Sequence, residues 1–314
     1  MNTFRKATRQ KVKASILIEG LSGTGKSGLA LAIARALEED WDKIYAVDVE
    51  NQSLDLFEGY TMHTGEKFGA FNKTDIEPEQ GYAPSNYDKK RKEAIELGGT
   101  VLILDTLSHM WNREGGLLDR VSALSKSASG KDFNVWQTPE IVHEKTLIFD
   151  LIRSNKLHTI STVRTKEKFS MELDPNTQKS VVVSLGEQQI QQDGLKYEPD
   201  LVLRMLEAGN EEGKAPKAQV LKSRYTPFKR DEVYEFDSAT LNVLKKYLSE
   251  GVDPAILEAA QKEEYVKLIK EFGKKSKLNM SVWKELKKDH GFEECVIEDI
   301  PLTNLKKMYY TLIQ

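Results

Sequence analysis

Apolar and polar positions along the chain follow two rhythms. Stretches of strand length rich in apolar residues occur at 14–18, 43–48, 101–105, 157–163, 200–206 and 218–222, as expected of strands buried on both faces. Between several of them, 28–37, 86–97 and 139–154 carry helix-forming residues, the second of these stopped by Gly98-Gly99. The alternation predicts an α/β fold with a mostly parallel sheet covered by helices on both faces. Residues 51–84 hold glycine, proline and threonine with little period and predict an irregular excursion. The stretch 112–137, with Ser125-Lys126-Ser127-Ala128-Ser129-Gly130-Lys131, predicts a mobile loop, and the polar stretch 165–196 predicts a hairpin arm around Val181–Val183. Beyond Asp253 the pattern turns wholly helical, at 255–272, 281–289 and 302–313. The expected organisation is therefore a basic tail at 1–13, a core at 14–250 and a small helical C-terminal module at 253–314.

Composition narrows the partners. Lys plus Arg number 46 against 49 Asp plus Glu, a net charge of −3, so no global field draws in nucleic acid and any such site must be local. The module offers one candidate patch, in Lys274, Lys275, Lys277, Lys284, Lys287 and Lys288. A single cysteine, Cys295, permits no internal disulfide and suits a reducing cytoplasm. The five histidines show no ligand spacing. No run reaches membrane-spanning length and the first residues lack an apolar signal region, so the expectation is a cytoplasmic protein with no membrane partner.

One stretch carries chemistry by itself. Gly20-Leu21-Ser22-Gly23-Thr24-Gly25-Lys26-Ser27 fits the phosphate-loop pattern at every fixed position, and it stands between a strand and a helix that opens at Gly28. Glycines let backbone N–H groups converge on a phosphate, and the helix N-terminus adds partial positive charge. Lys26 is suited to the β- and γ-phosphates of ATP, and the Ser27 hydroxyl to Mg²⁺. The apolar run 101–105 closes on Asp105, at the strand edge where open α/β sheets bind ligands; this carboxylate is the expected second holder of Mg²⁺. Glu50 follows the second strand. A carboxylate one strand from the Mg²⁺ acid can polarise the attacking water from the side.

That set of motifs, in that order, resembles the RecA/RadA recombinase superfamily of phosphate-loop ATPases. Val101–Leu107 resembles its magnesium strand. Ile160-Ser161-Thr162-Val163-Arg164-Thr165-Lys166 resembles the strand that senses the γ-phosphate and enters the second DNA-binding loop. Lys222-Ser223-Arg224 resembles the pair of cations that reach the nucleotide of a neighbouring subunit. Ser108-His109-Met110-Trp111, Arg164-Thr165-Lys166 and Tyr197-Glu198-Pro199-Asp200 are similar, more narrowly, to the phage RecA-like ATPases of the Sak single-strand-annealing group.

The resemblance implies a RecA-like core with Glu50, Lys26, Thr162, Lys222 and Arg224 as catalytic residues. It also implies a homo-oligomeric ring or filament, single-stranded DNA and a single-strand-binding protein as partners, and a phage or prophage origin. DNA contacts would come from Lys126, Lys131, Arg164, Lys166, Lys168 and Phe169. Phe4-Arg5-Lys6-Ala7 resembles the Phe-x-x-Ala plug of RadA-type proteins. The chain departs from the pattern at Thr162, where RecA carries an amide, and in having no polymerisation domain ahead of the core. Two other functions fit the same motifs: a RecA-core motor or loader like the DnaB helicase core, and a switch in which ATP sets assembly with little turnover.

Overall fold

The computed structural model describes residues 7–76, 78–127, 132–154, 156–173, 180–206, 213–275 and 277–313. It divides into two compact units: Val12–Leu248, and residues 1–11 together with Ser249–Gln314.

The larger unit is built on one mixed, mostly parallel sheet. In chain order it contains β1 (Ser15–Gly20), α1 (Lys26–Leu37), β2 (Ile44–Asp48), β3 (Asn72–Asp75), α2 (Pro84–Glu96), β4 (Val101–Asp105), α3 (Leu107–Asn112), α4 (Leu117–Ser127), α5 (Pro139–Ile152), β5 (His158–Leu173), β6 (Ser180–Gln189), β7 (Leu201–Met205), β8 (Lys217–Ser223), β9 (Val233–Glu235) and α6 (Ser238–Ser249). The strand order is β3-β2-β4-β5-β1-β7-β8-β9, with β6 paired to β5 off this path. β3 to β7 run parallel along that path, and β8 and β9 are antiparallel at one edge.

The period of two in the strands sorts two cores. Ile16, Ile18, Val101, Ile103, Leu201 and Leu203 face α1 and the Leu241, Leu244 and Leu248 stripe of α6. Leu17, Leu102, Leu104, Val163 and Val202 face the opposite way, toward Tyr87 of α2, Leu107 and Met110 of α3, and Ile141 and Ile148 of α5. The result is a three-layer α/β/α unit in which the parallel strands all end at one edge, the edge that bears Gly20, Asp48 and Asp105.

Several expectations need correction. The excursion at 51–84 contains the edge strand β3, parallel to β2. The stretch 112–137 is not a loop throughout, because Leu117, Val121 and Leu124 keep a helical period and α4 forms; Lys126 is in its last turn. Lys131 lies outside the described residues. β5 does not stop at Val163 but runs on for 16 residues in all, with 165–173 forming an antiparallel ribbon with β6. Lys166, Lys168 and Phe169 therefore occupy strand positions rather than a loop, with Phe169 opposite Ser184.

The smaller unit contains α7 (Pro254–Lys275), α8 (Lys277–Asp289) and α9 (Leu302–Leu312) around Ile269, Leu286, Ile300, Leu305 and Met308. Residues 9–11 join it. Gln10 bridges to Val252, and Arg9 pairs with Glu250 at 2.8 Å. Residues 4–6 of the plug-like motif lie outside the described residues.

Candidate functional site

The loop 20–25 turns from β1 into α1 on three glycines of positive φ, Gly20, Gly23 and Gly25 at 159°, 80° and 83°. Side chains resist that region, so the loop curls only with glycine there. At Gly20 a Cβ would also meet the Thr24 hydroxyl at 2.9 Å and Met205 at 3.1 Å, whereas at Gly23 it would meet nothing within 4 Å, leaving that side of the loop open. Gly28 sits against Phe57. Thr24 donates to the Leu21 carbonyl at 2.9 Å, and Lys26 folds over the loop to donate to the same carbonyl at 2.7 Å. Burial pushes the Lys26 ammonium below its ordinary pKa, against the pull of Glu50 and Asp105.

Next to the loop, Ser27 donates its hydroxyl to Asp105 Oδ2 at 2.6 Å, and Thr162 donates to Oδ1 of the same carboxylate. Burial raises the Asp105 pKa while those two hydroxyls hold the charged form. The carboxylate is thus fixed on both oxygens beside the phosphate loop. The donor set fits Mg²⁺: a serine hydroxyl and one carboxylate would be the protein's share of an octahedral oxygen shell. Among the described residues no cluster of three or more His, Cys, Asp or Glu could hold a metal unaided.

On the neighbouring strand, Asp48 is buried and caps the turn that follows it, accepting from the Glu50 N–H at 2.8 Å and the Leu54 N–H at 2.9 Å. Burial raises its pKa. Asp48 thereby aims Glu50, and the carboxylate of Glu50 meets Arg164. The guanidinium donates from Nε to Oε1 and from Nη2 to Oε2, both at 2.6 Å, a two-point charge-assisted pair. Burial by itself would raise Glu50, but the Arg164 contact and the charges of His109 and Lys26 bring its pKa below the ordinary value. Arg164, expected on DNA, is engaged here.

His109 completes this corner. Its ring stacks edge-on against Tyr82, centroids 5.3 Å apart, because the Gly81–Tyr82 backbone crosses Glu114–Gly115 at close range. The imidazole is buried, with a pKa pushed down to about 4 by burial and by Arg164 and Arg113. Neither ring nitrogen makes a hydrogen bond of good geometry among the described residues, although the Val49 backbone lies close enough to favour the protonated ring. Sequence reasoning placed His109 in a motif without giving it a task.

Lys222 and Arg224 are elsewhere. Lys222 lies opposite Val202, and Val202 opposite Leu17. Lys222 is therefore three residues and Arg224 five residues down the strands from Gly20, about 10 and 17 Å. Lys222 donates to the Tyr197 and Pro199 carbonyls, both at 2.5 Å, and Arg224 pairs with Asp200 at 2.8 Å. Neither reaches its own phosphate loop. Lys166 and Lys168 are exposed on the ribbon.

One buried charge was missed altogether. Glu19, just ahead of the loop, accepts from Arg204 Nε at 2.7 Å and Nη2 at 2.5 Å, and from the Gln189 amide at the base of β6. Its partners are 185 and 170 residues away, so no local signal exposes the pair. No helix among the described residues is long and apolar enough to cross a membrane. A scan against protein-family models and a search of the curated proteins return no match to this chain.

Proposed function

We propose that the chain is a Mg²⁺-dependent ATPase of RecA-like fold that assembles on single-stranded DNA and promotes annealing or strand exchange. The observation that carries the nucleotide part is the 2.6 Å contact between Ser27 and Asp105 beside a glycine-built loop. It joins a hydroxyl and a carboxylate 78 residues apart at the point where a nucleotide's Mg²⁺ would sit. The loop N–H groups and Lys26 bind the phosphates once Lys26 leaves the Leu21 carbonyl. The metal, when bound, neutralises charge on the β- and γ-phosphates. Thr162 keeps Asp105 in place. Glu50 takes a proton from water as the water oxygen bonds to the γ-phosphorus. The bond to the bridging oxygen breaks, ADP leaves, and the proton passes on to phosphate.

The DNA and assembly parts rest on the family resemblance and on two positions. Lys166 and Lys168 are exposed on an arm that continues the strand carrying Thr162, and such cations bind backbone phosphates without reading sequence. Lys222 and Arg224 are too far from their own loop to act there, which suits cations that serve a neighbouring copy. A second reading has its own support. Because Glu50 is already paired with Arg164, a switch in which ATP sets assembly with little turnover also fits.

The test is steady-state ATP hydrolysis without nucleic acid, with poly(dT) and with duplex DNA, across protein concentration. Stimulation by single strands that steepens with protein concentration is expected. Glu50→Gln should retain ATP binding and lose about 10²-fold or more in turnover. Unchanged turnover in that variant refutes the assignment of the base, and negligible wild-type turnover with nucleotide-dependent assembly selects the switch.

A further inference from the structure

Glu50 and Arg164 enter the chemistry on opposite sides, one toward water and one toward DNA, yet they are bound to each other. Both carboxylate oxygens accept from the guanidinium at 2.6 Å, so the negative charge that would draw a proton from water is neutralised and held in one orientation.

The position of Arg164 is equally particular. It is the last residue of β5 in register with the phosphate-loop strand, opposite Gly20. The next residue, Thr165, is the first in register with β6, opposite Gln189. Arg164 therefore occupies the joint between the central sheet and the ribbon. Its N–H donates to Ser108 Oγ at 2.9 Å and its carbonyl accepts from the Ile190 N–H at 2.8 Å. Arg164 is thus one of the links between ribbon and sheet, beside the Gln189 amide on Glu19 at the base of β6.

The imidazole of His109 is buried and adds to the electrostatics of both members of the pair. The charged and titratable groups around Glu50 are Arg164 from β5, His109 from α3, Lys26 from α1, Asp48 from β2 and Asp105 from β4, with Tyr87 of α2 behind them. If the guanidinium withdraws, Glu50 keeps its negative charge while its N–H stays held by Asp48.

We propose that Arg164 is a positioning residue that restrains Glu50, and that single-stranded DNA on the β5–β6 ribbon draws Arg164 away and frees the carboxylate. The inference rests on the ATPase reading and adds the means by which DNA would govern the rate. It predicts slow turnover of the chain alone.

The experiment measures ATP turnover of the full chain, wild type, Arg164→Gln and Arg164→Lys, each with and without poly(dT). Arg164→Gln should raise the DNA-free kcat on the order of ten-fold, below the full range for a general base, with KM for ATP unchanged and little further stimulation by poly(dT). Arg164→Lys, which keeps the charge but loses the two-point geometry, should fall between it and wild type. A structural role alone would not raise kcat. If poly(dT) stimulates the wild type while both variants are slowed in proportion with and without DNA, the restraint is refuted and the DNA reading stands. If poly(dT) leaves the wild type unchanged while Arg164→Gln still raises kcat, the restraint stands and the DNA reading falls. Unaltered kcat and unaltered stimulation in both variants overturn the proposal outright.

Discussion

Arg204→Met isolates the buried charge beneath the phosphate loop, since it removes the guanidinium and keeps much of the aliphatic stem. Glu19 is 1% exposed and Arg204 27%. Breaking a buried ion pair by deleting one partner costs about 3–5 kcal/mol, because the remaining charge is left uncompensated. Arg204 is partly in water and the Gln189 amide still serves Glu19, so the low end applies, about 3 kcal/mol. For a unit of this size that corresponds to a fall in Tm of roughly 6–12 °C. Glu19→Leu combined with Arg204→Met removes both charges and should recover most of the loss, giving a coupling of about 2 kcal/mol or more. Urea unfolding of the four proteins followed by far-UV circular dichroism reads both quantities. A loss under about 0.5 kcal/mol for Arg204→Met, or a double variant as unstable as the sum of the singles, refutes the view that the pair is a buried, mutually dependent unit.

Three further outcomes are expected. Gly115→Ala forces a side chain onto a residue of φ 69° and brings its Cβ to 2.8 Å from the Gly81 Cα; a loss of about 2–3 kcal/mol follows, and a urea midpoint equal to wild type would contradict the crossing that holds Tyr82 on His109. His158 accepts the Ala14 N–H on Nδ1 at 3.0 Å, and burial pushes its pKa down to about 4. The unfolded chain takes up that proton near pH 6.5 and the folded chain does not until near pH 4, so stability falls as pH drops through this window, by roughly 2 kcal/mol at pH 5. His109 carries the same shift, so His158→Gln should remove about half of the histidine-linked dependence between pH 7 and 5, and an unchanged slope counts against the assignment. Lys222→Ala should be rescued by mixing with Lys26→Ala, because each copy then supplies what the other lacks at a shared site; mixtures no more active than the separate variants would place Lys222 outside the nucleotide chemistry.

The phosphate loop and Asp105 were legible in the sequence because each is local, a glycine pattern between a strand and a helix and an apolar run closed by an acid. The pairings were not, even where Thr162 and Arg164 were themselves named. Thr162 on Asp105, Arg164 on Glu50 and Arg204 on Glu19 span 57, 114 and 185 residues, distances over which only the strand order decides who meets whom. The helix at 117–127 escaped notice because the serine and lysine content at its end obscures the spacing of Leu117, Val121 and Leu124. The outer half of β5 escaped for another reason. Lys166-Glu167-Lys168 shows no apolar run to mark a strand. The helix at 238–249 carries its own signal, in the spacing of Leu241, Leu244 and Leu248.

The length of β5 has a consequence for how the molecule breathes. Residues 158–164 lie between β4 and β1 in the middle of the sheet, while 165–173 are paired with β6. Two strands by themselves hold only marginally in water, so the outer half can open while the inner half stays closed. Amide hydrogen exchange should accordingly be slow over Thr159–Val163 and fast over Lys166–Ser170, two classes of protection within one continuous strand. Any molecule that settles on the ribbon would then register as slowed exchange confined to that outer half, with the inner half as its built-in reference.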